Sequence, residues 1–198
     1  MIFVGVALVF LMAAGAAFAF LFDFDDRPRL EVQPRAQRTI AECAEIHRRL
    51  TRPFDGDARM TMEDVARCEE AIGAKLPPDF VEFTLAAGAS NGIGGEFRNV
   101  LGQRAPHLDI ALANPGDREW SGFPDNYVAF YWTGYGDLEG FKIKDGHCID
   151  RVWTFRHDQR RRLDDTGQTF REWLNDHITN LEEDGFHWNG EDWIERVR

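Results

Sequence analysis

The adjacent pair His157-Asp158 is a candidate for acid–base chemistry. A histidine acts as a general base near neutral pH when a carboxylate orients its ring through a hydrogen bond. Neighbouring residues on a strand point to opposite sides, however, so these two side chains are not expected to bond to each other. The segment Gly134-Tyr135-Gly136-Asp137 is glycine-rich enough to cradle a phosphate. No helix and no lysine follow it, which favours a hairpin turn instead.

Other patterns typical of catalytic or metal sites are missing from the sequence. It contains no P-loop, no GxGxxG segment after a strand, no HExxH and no GxSxG. The six histidines lack metal-ligand spacing, and the three cysteines form no CxxC pair. We therefore expect no catalytic residue, no metal, no cofactor and no small-molecule substrate, and hence a protein that is not an enzyme.

The composition indicates a folded protein with an acidic surface. The chain has 198 residues, of which 43% are apolar, and this is enough for a packed core. A net charge of −11 and a pI near 5.0 argue against nucleic-acid binding. An acidic surface suits a basic protein partner, but it also keeps a protein soluble, and the composition leaves both explanations open.

Residues 2–22 form an uncharged, mostly apolar run of 21 residues. At 1.5 Å per residue a helix of this length spans about 31 Å, enough to cross the hydrocarbon core of a membrane. No Lys or Arg precedes the run, and it is longer than the core of a signal peptide, although Ala17-Phe18-Ala19 offers a cleavage site. We expect a retained single-pass anchor, or an exported protein if the segment is cleaved. Arginines follow the span, so the positive-inside rule places the C-terminal domain in the cytoplasm.

Three capping boxes predict where helices begin. They start at Thr39, Thr61 and Thr169, each with an acidic residue three positions later and apolar residues at helical spacing beyond it. Gly73 predicts the end of the second helix, and Pro78 fits the first turn of another. The residues that this further helix would bury are Phe80, Phe83 and Ala87.

After residue 96 the apolar period changes to two, which predicts strands. Residues 127–132 and 138–144 are the clearest candidates, and residues 149–155 give a third. Residues 97–101 and 108–112 are weaker strand candidates, and the second of these also fits a helical turn. Together the segments predict an α+β fold, in which N- and C-terminal helices flank an antiparallel (mixed) sheet behind one N-terminal transmembrane helix.

Residues 69–83 carry a longer pattern, E-x-x-I-G-x-x-LPxDFxxF, which is followed by Asn91-Gly92. FPDNYVAF at residues 123–130, the Gly-Tyr-Gly-Asp turn, His157-Asp158 and a closing TFREWL helix come after it in order. This series resembles the SUKH superfamily, specifically its Smi/Knr type, over about residues 61–181. The resemblance implies a non-enzymatic binding domain. Bacterial members are mostly immunity proteins that neutralise a partner toxin, and fungal relatives regulate cell-wall assembly.

We therefore expect an anchor at residues 1–22, a juxtamembrane linker and helix at 23–60, a SUKH-like domain at 61–181 and a tail at 182–198 that packs on it. The expected function is immunity through binding of a basic toxin domain, and an envelope-associated scaffold or cell-wall regulator of the same fold is the alternative. The expected partner contacts are Trp120, Tyr131, Trp132, Tyr135 and Asp137. Because Tyr131 and Trp132 alternate on a strand, one of them must face the core.

Overall fold

The computed structural model describes residues 37–53, 60–88, 90–92, 95–102, 105–158, 162–184, 186–188 and 193–195. The predicted membrane anchor at residues 2–22 and the first part of the predicted linker lie outside these ranges. Within them, no helix is both long enough and apolar enough to span a bilayer.

The described ranges contain five α-helices: α1 (Ile40–Leu50), α2 (Met62–Ile72), α3 (Pro78–Ala87), α4 (Ile110–Ser121) and α5 (Phe170–Glu183). All three predicted capping boxes are present, at Thr39, Thr61 and Thr169. In each box the threonine hydroxyl accepts from a backbone N–H three residues on, and the acidic side chain there accepts from the backbone N–H of the threonine. The box thus satisfies donors that a helix start leaves open, which is why a local pattern predicts it.

The turn between α2 and α3 has the predicted form. Gly73 adopts the left-handed conformation with φ 69° and ends α2, and Pro78 lies in the first turn of α3. Phe80, Phe83 and Ala87 are buried, as predicted.

One antiparallel sheet supports these helices, which confirms the predicted α+β class. Its strands are β1 (Arg52–Pro53), β2 (Ser90–Gly92), β3 (Gly95–Phe97), β4 (Tyr127–Trp132), β5 (Leu138–Lys144), β6 (His147–Cys148), β7 (Trp153–Arg156) and β8 (Arg162–Asp165). The order across the sheet is β1-β2-β3-β4-β5-β7-β8, and β6 pairs with β5 beside that path. Every pairing between these strands is antiparallel.

Three weaker sequence predictions need correction. Residues 108–112 are not a strand: a 3₁₀ turn at Pro106–Leu108 leads into α4, whose first turn is capped by the Asp109 side chain. The strand predicted at 97–101 lies at Gly95–Phe97, and the one predicted at 149–155 lies at Trp153–Arg156. Short apolar runs fit a strand and a helical turn equally well, so tertiary contacts decide between them.

The two faces of the sheet carry two apolar clusters. The larger cluster lies between the sheet and the helices, and α3, β4 and β5 contribute Phe80, Phe130 and Phe141 to it, whose rings meet in tilted or edge-on contacts. A smaller cluster on the other face contains Phe123, Tyr127, Ala129, Leu138, Trp153 and Phe155. The Tyr127 hydroxyl in this cluster is buried and donates to the carbonyl of Leu138.

Helix α1 lies N-terminal to the predicted domain and contributes to the same core. Ile40, Cys43, Ala44, His47 and Leu50 are buried, and α1 packs against α3 and α5. In the predicted tail, β9 (Phe186–Trp188) and β10 (Trp193–Glu195) form an antiparallel pair, and β9 lies near α1. The boundaries at residues 60 and 181 stay a prediction.

Candidate functional site

The predicted contacts lie around the end of the β4–β5 hairpin, here called the hairpin end (residues 131–138). A glycine-rich turn joins the strands, and Gly134 and Gly136 have positive φ values of 81° and 96°, which few residues other than glycine adopt. A Cβ atom at Gly136 would lie 2.7 Å from Cε1 of His157, so the turn packs closely against that ring. The hairpin turn predicted at residues 134–137 is confirmed.

A β-bulge in β4 decides which way the two central aromatic residues point. The pairing with β5 shifts between Ala129 and Tyr131. Phe130 and Tyr131 therefore both contact Trp173 of α5, with ring centroids 5.0 and 5.5 Å away, while Trp132 packs in the cluster on the opposite face. The prediction that one of Tyr131 and Trp132 faces the core is confirmed, since Tyr131 packs against the main cluster.

A groove of about 710 Å³ lies between the hairpin end and α5 and is called the α5 groove below. Tyr131 and Glu139, which are paired across β4 and β5, line its sheet side. The opposite wall is formed by α5 and by Asp184 directly after it; the α5 residues, at helical spacing, are Trp173, Asp176, His177, Asn180 and Leu181. The remaining lining residues are Thr133, Tyr135 and Gln168. Three of these lining residues are acidic and none is Lys or Arg, so the groove favours a cationic ligand.

Glu139 is the most enclosed carboxylate of the α5 groove. Its Oε2 atom accepts a hydrogen bond of 2.7 Å from Nε1 of Trp173, and Thr154 on β7 also bonds to it. Burial raises the pKa of Glu139, and these two hydrogen bonds oppose the rise because they stabilise the ionised form. The nearby Arg156 lowers this pKa as well, but its guanidinium bonds to Asp137 and Asp164.

Aromatic rings line the groove beside this carboxylate. Trp173 and His177 are stacked with centroids 4.9 Å apart, and Tyr131 meets His177 edge-on at the same distance. Burial lowers the pKa of His177 to about 4, so its ring is neutral at pH 7. Tyr135 stands at the rim and is 86% exposed.

A second groove, the α4 groove, lies on the other side of the hairpin end and has a volume of about 570 Å³. Trp132 and Trp120 both line it, and Trp120 is 72% exposed on the last turn of α4. Arg98 and Asp117, which form an ion pair, lie in the same groove. The structure thus places two of the predicted aromatic contacts in each groove.

Asp137 holds the turn in place. One carboxylate oxygen accepts from the backbone N–H of His157 at 3.2 Å and lies 3.0 Å from Nδ1 of its ring, and the other accepts from Arg156 at 3.2 Å. The histidine therefore has its carboxylate partner in the hairpin turn and not in the adjacent Asp158. Asp137, His157 and Asp158 offer three ligand atoms within 4.8 Å of one another, a group that could hold a cation and that sequence spacing did not predict. Because Arg156 already neutralises Asp137, this geometry alone does not assign a metal.

Comparison with known protein families matches residues 59–176 to the SMI1/KNR4 family (SUKH-1). The chain belongs to this family. The match confirms the resemblance read from the sequence motifs. No curated protein matches the chain.

The residues that carry the SUKH-1 motif have structural roles in this chain. Glu69 accepts from the backbone N–H of Leu76 at 3.0 Å and so fixes the turn between α2 and α3. Asp79 forms a bidentate ion pair with Arg171, with N–O distances of 2.7 and 2.8 Å, and this pair joins α3 to α5. Glu69 and Asp79 therefore build the SUKH-1 scaffold and line neither groove.

Sequence reasoning missed Glu139, Trp173 and His177 as groove residues of this SUKH-1 domain. Both Trp173 and His177 belong to the predicted apolar stripe of α5. Such a stripe predicts packing against the core and gives no indication of acidic residues that lie next to it in space. Glu139 lies on the predicted strand at residues 138–144, but its neighbours in space come from α5 and β7. The partner-binding role of the five predicted residues stays a prediction.

Proposed function

We propose that this SUKH-1 protein is an immunity protein that neutralises a basic toxin domain by stoichiometric binding through the hairpin end. One observation carries the proposal: two large aromatic residues, Trp120 beside the hairpin end and Tyr135 in its turn, stand exposed, the first at the α4 groove and the second at the acidic α5 groove. Aromatic residues of this kind act as interface anchors because they bury a large area at a small entropic cost.

The charge of the protein supports the same partner class. A net charge of −11 favours encounter with a basic protein, and many toxins that attack nucleic acids are basic because they bind phosphate. In this mechanism electrostatic attraction speeds association and the aromatic anchors slow dissociation. The protein acts by covering its partner and turns over no substrate.

The membrane segment adds a location to the proposal. We infer from the apolar run at residues 2–22 that the chain is held at a membrane, with residues 37–198 on the cytoplasmic side. An anchored immunity protein would meet a toxin at its point of entry.

Co-expression with a candidate basic toxin domain from a neighbouring gene tests the function. We expect protection of the host cell and a one-to-one complex, and we expect Trp120→Ala and Tyr135→Ala each to weaken binding by about 2 kcal/mol. Met62→Ala on α2 is the matched control, because Met62 is also a large exposed apolar residue (61%) but lies outside both grooves.

Each other outcome has a separate meaning. No protection and no complex at micromolar concentration would refute immunity and favour the envelope scaffold. A complex whose affinity is unchanged by both substitutions would keep the function and exclude the hairpin end as the contact surface. Asp137→Ala is expected to weaken binding indirectly, since Asp137 holds the turn that carries Tyr135.

A further inference from the structure

The α5 groove is an acidic site whose most buried carboxylate, that of Glu139, is bonded to neutral groups. Glu139 is half-buried, and its hydrogen bonds come from Trp173 and Thr154, which are neutral donors. Among the described residues it forms no ion pair. The guanidinium of Arg156, which lowers the pKa of Glu139, is 3.2 Å from both Asp137 and Asp164 and forms ion pairs with them.

A carboxylate in such a place has lost water without gaining an ion pair from the described residues, and Arg156 acts on it without a direct salt bridge. The cost of this desolvation is visible in the raised pKa of Glu139, which burial causes. A cation that enters the groove would offset the cost. Asp176 and Asp184, on the α5 wall, add negative charge around the same opening.

The aromatic lining selects the kind of cation. Tyr131 and His177 are half-buried and contact each other, and Tyr135 stands exposed at the rim. A guanidinium is planar, lies against aromatic rings and bonds to a carboxylate through two parallel N–H groups. An ammonium is a more strongly hydrated point charge and gains less from such a lining. The groove volume of about 710 Å³ leaves room for the whole side chain and part of its backbone.

We propose that the α5 groove binds an arginine side chain of the partner protein, with its guanidinium paired to Glu139 and flanked by Tyr131 and His177. The proposal rests on the proposed function, because it names the feature of a basic partner that this surface would recognise. Trp120 and the α4 groove would then anchor the rest of the contact.

The experiment uses the purified full-length protein and N-acetyl-arginine methylamide as the probe. Binding is followed by NMR through the indole N–H of Trp173, which bonds directly to Glu139. For a probe of this size we expect a dissociation constant on the order of 1 mM. Glu139→Gln should weaken binding by about tenfold, since it removes the charge and keeps an oxygen that can accept from Trp173.

Two further variants make the result specific. Glu119→Gln removes the same charge from an exposed position of α4 outside the groove, and we expect unchanged binding. Asp176 lies on the exposed part of the groove wall, so Asp176→Asn leaves the surroundings of Glu139 intact. We expect this variant to lose about twofold in probe affinity. If Glu139→Gln does not fold, the comparison of Asp176→Asn with Glu119→Gln tests the arginine site instead. Weaker probe binding in Asp176→Asn alone supports the site, and equal binding in both variants contradicts it.

Several results would overturn the proposal. The first is an unchanged Trp173 signal at probe concentrations well above the expected dissociation constant. The second is equal probe affinity in wild type and Glu139→Gln, or an equal loss of probe affinity in Glu139→Gln and the Glu119→Gln control. The third is equal affinity for N-acetyl-arginine methylamide and N-acetyl-lysine methylamide. The probe needs no toxin, so the two proposals fail separately. Probe binding without protection refutes the immunity function, whereas protection without probe binding refutes only the arginine site.

Discussion

Asn114 joins α4 to the sheet, and its replacement offers a sharp test of how the α4 groove is built. Asn114 is 3% exposed. Its Nδ2 atom donates to the carbonyls of Ile110 and Ala129, both at 2.8 Å, and its Oδ1 atom accepts from the backbone N–H of Ala129 at 2.7 Å. The side chain therefore bonds to both the N–H and the carbonyl of Ala129, a buried residue of β4. Ala129 lies beyond the residues of β4 that pair with β3.

Asn114→Ala leaves the N–H and the carbonyl of Ala129 without these partners. Each unsatisfied buried group costs about 1–3 kcal/mol, and the better helix propensity of alanine returns about 0.5 kcal/mol. We expect the free energy of unfolding to fall by about 3 kcal/mol, a large part of the ~5–15 kcal/mol typical of a domain. Glu119→Ala on the same helix is the control and should change it by no more than about 0.5 kcal/mol.

Urea unfolding of the two variants, followed by tryptophan fluorescence and circular dichroism, measures the difference. A loss below about 1 kcal/mol at an unchanged m-value, or a gain in stability, would show that α4 is held to the sheet by other contacts. The expected loss should also reduce partner binding, because α4 positions Trp120.

Two further predictions concern pH and location. Burial lowers the pKa of His47 to about 3, and burial lowers that of His177 to about 4, so both rings stay neutral in the folded state. In the unfolded chain both histidines become protonated below about pH 6.5, whereas in the folded state they stay neutral. The free energy of unfolding should therefore fall as pH drops from about 6.5 toward 4, by up to about 1.4 kcal/mol per pH unit for each ring. His177→Phe should reduce this pH dependence, and an unchanged pH dependence in urea titrations would contradict the lowered pKa of His177. The full-length chain should remain with membranes after alkaline washing and keep its N-terminus, whereas soluble recovery with a mass that starts near Phe20 would indicate a cleaved signal peptide.

The parts of the fold that sequence predicted are those fixed by local chemistry. A capping box needs only a threonine and an acidic residue three positions apart, so Thr39, Thr61 and Thr169 each identified a helix start. The helix opened by Pro78 followed from the fixed φ of proline. The strands at Tyr127–Trp132 and Leu138–Lys144 were confirmed because dense aromatic and branched residues between glycine turns leave few alternatives.

Helix α4 could not be predicted in the same way, because its sequence opposes its structure. Pro115 lies inside the helix and is followed by Gly116, a pair that normally ends one. The helix forms because Asp109 caps its first turn and Asn114 bonds to Ala129 of the sheet. The second contact was invisible from local spacing, since Ala129 lies 15 positions further along the chain than Asn114.

The candidate site was predicted as a list of residues and not as two surfaces, and the bulge in β4 explains the difference. Strict alternation places Phe130 and Trp132 on one face and Tyr131 on the other. The register shift between Ala129 and Tyr131 sends Phe130 and Tyr131 to the α5 side together, and Trp132 alone to the α4 groove. Without that shift, Trp132 would face α5 in place of Tyr131, and Tyr131 would not stand opposite Glu139. A bulge leaves no mark in the residue types of YVAFYW, so the surface that a partner meets depends on a backbone feature which only the folded sheet reveals.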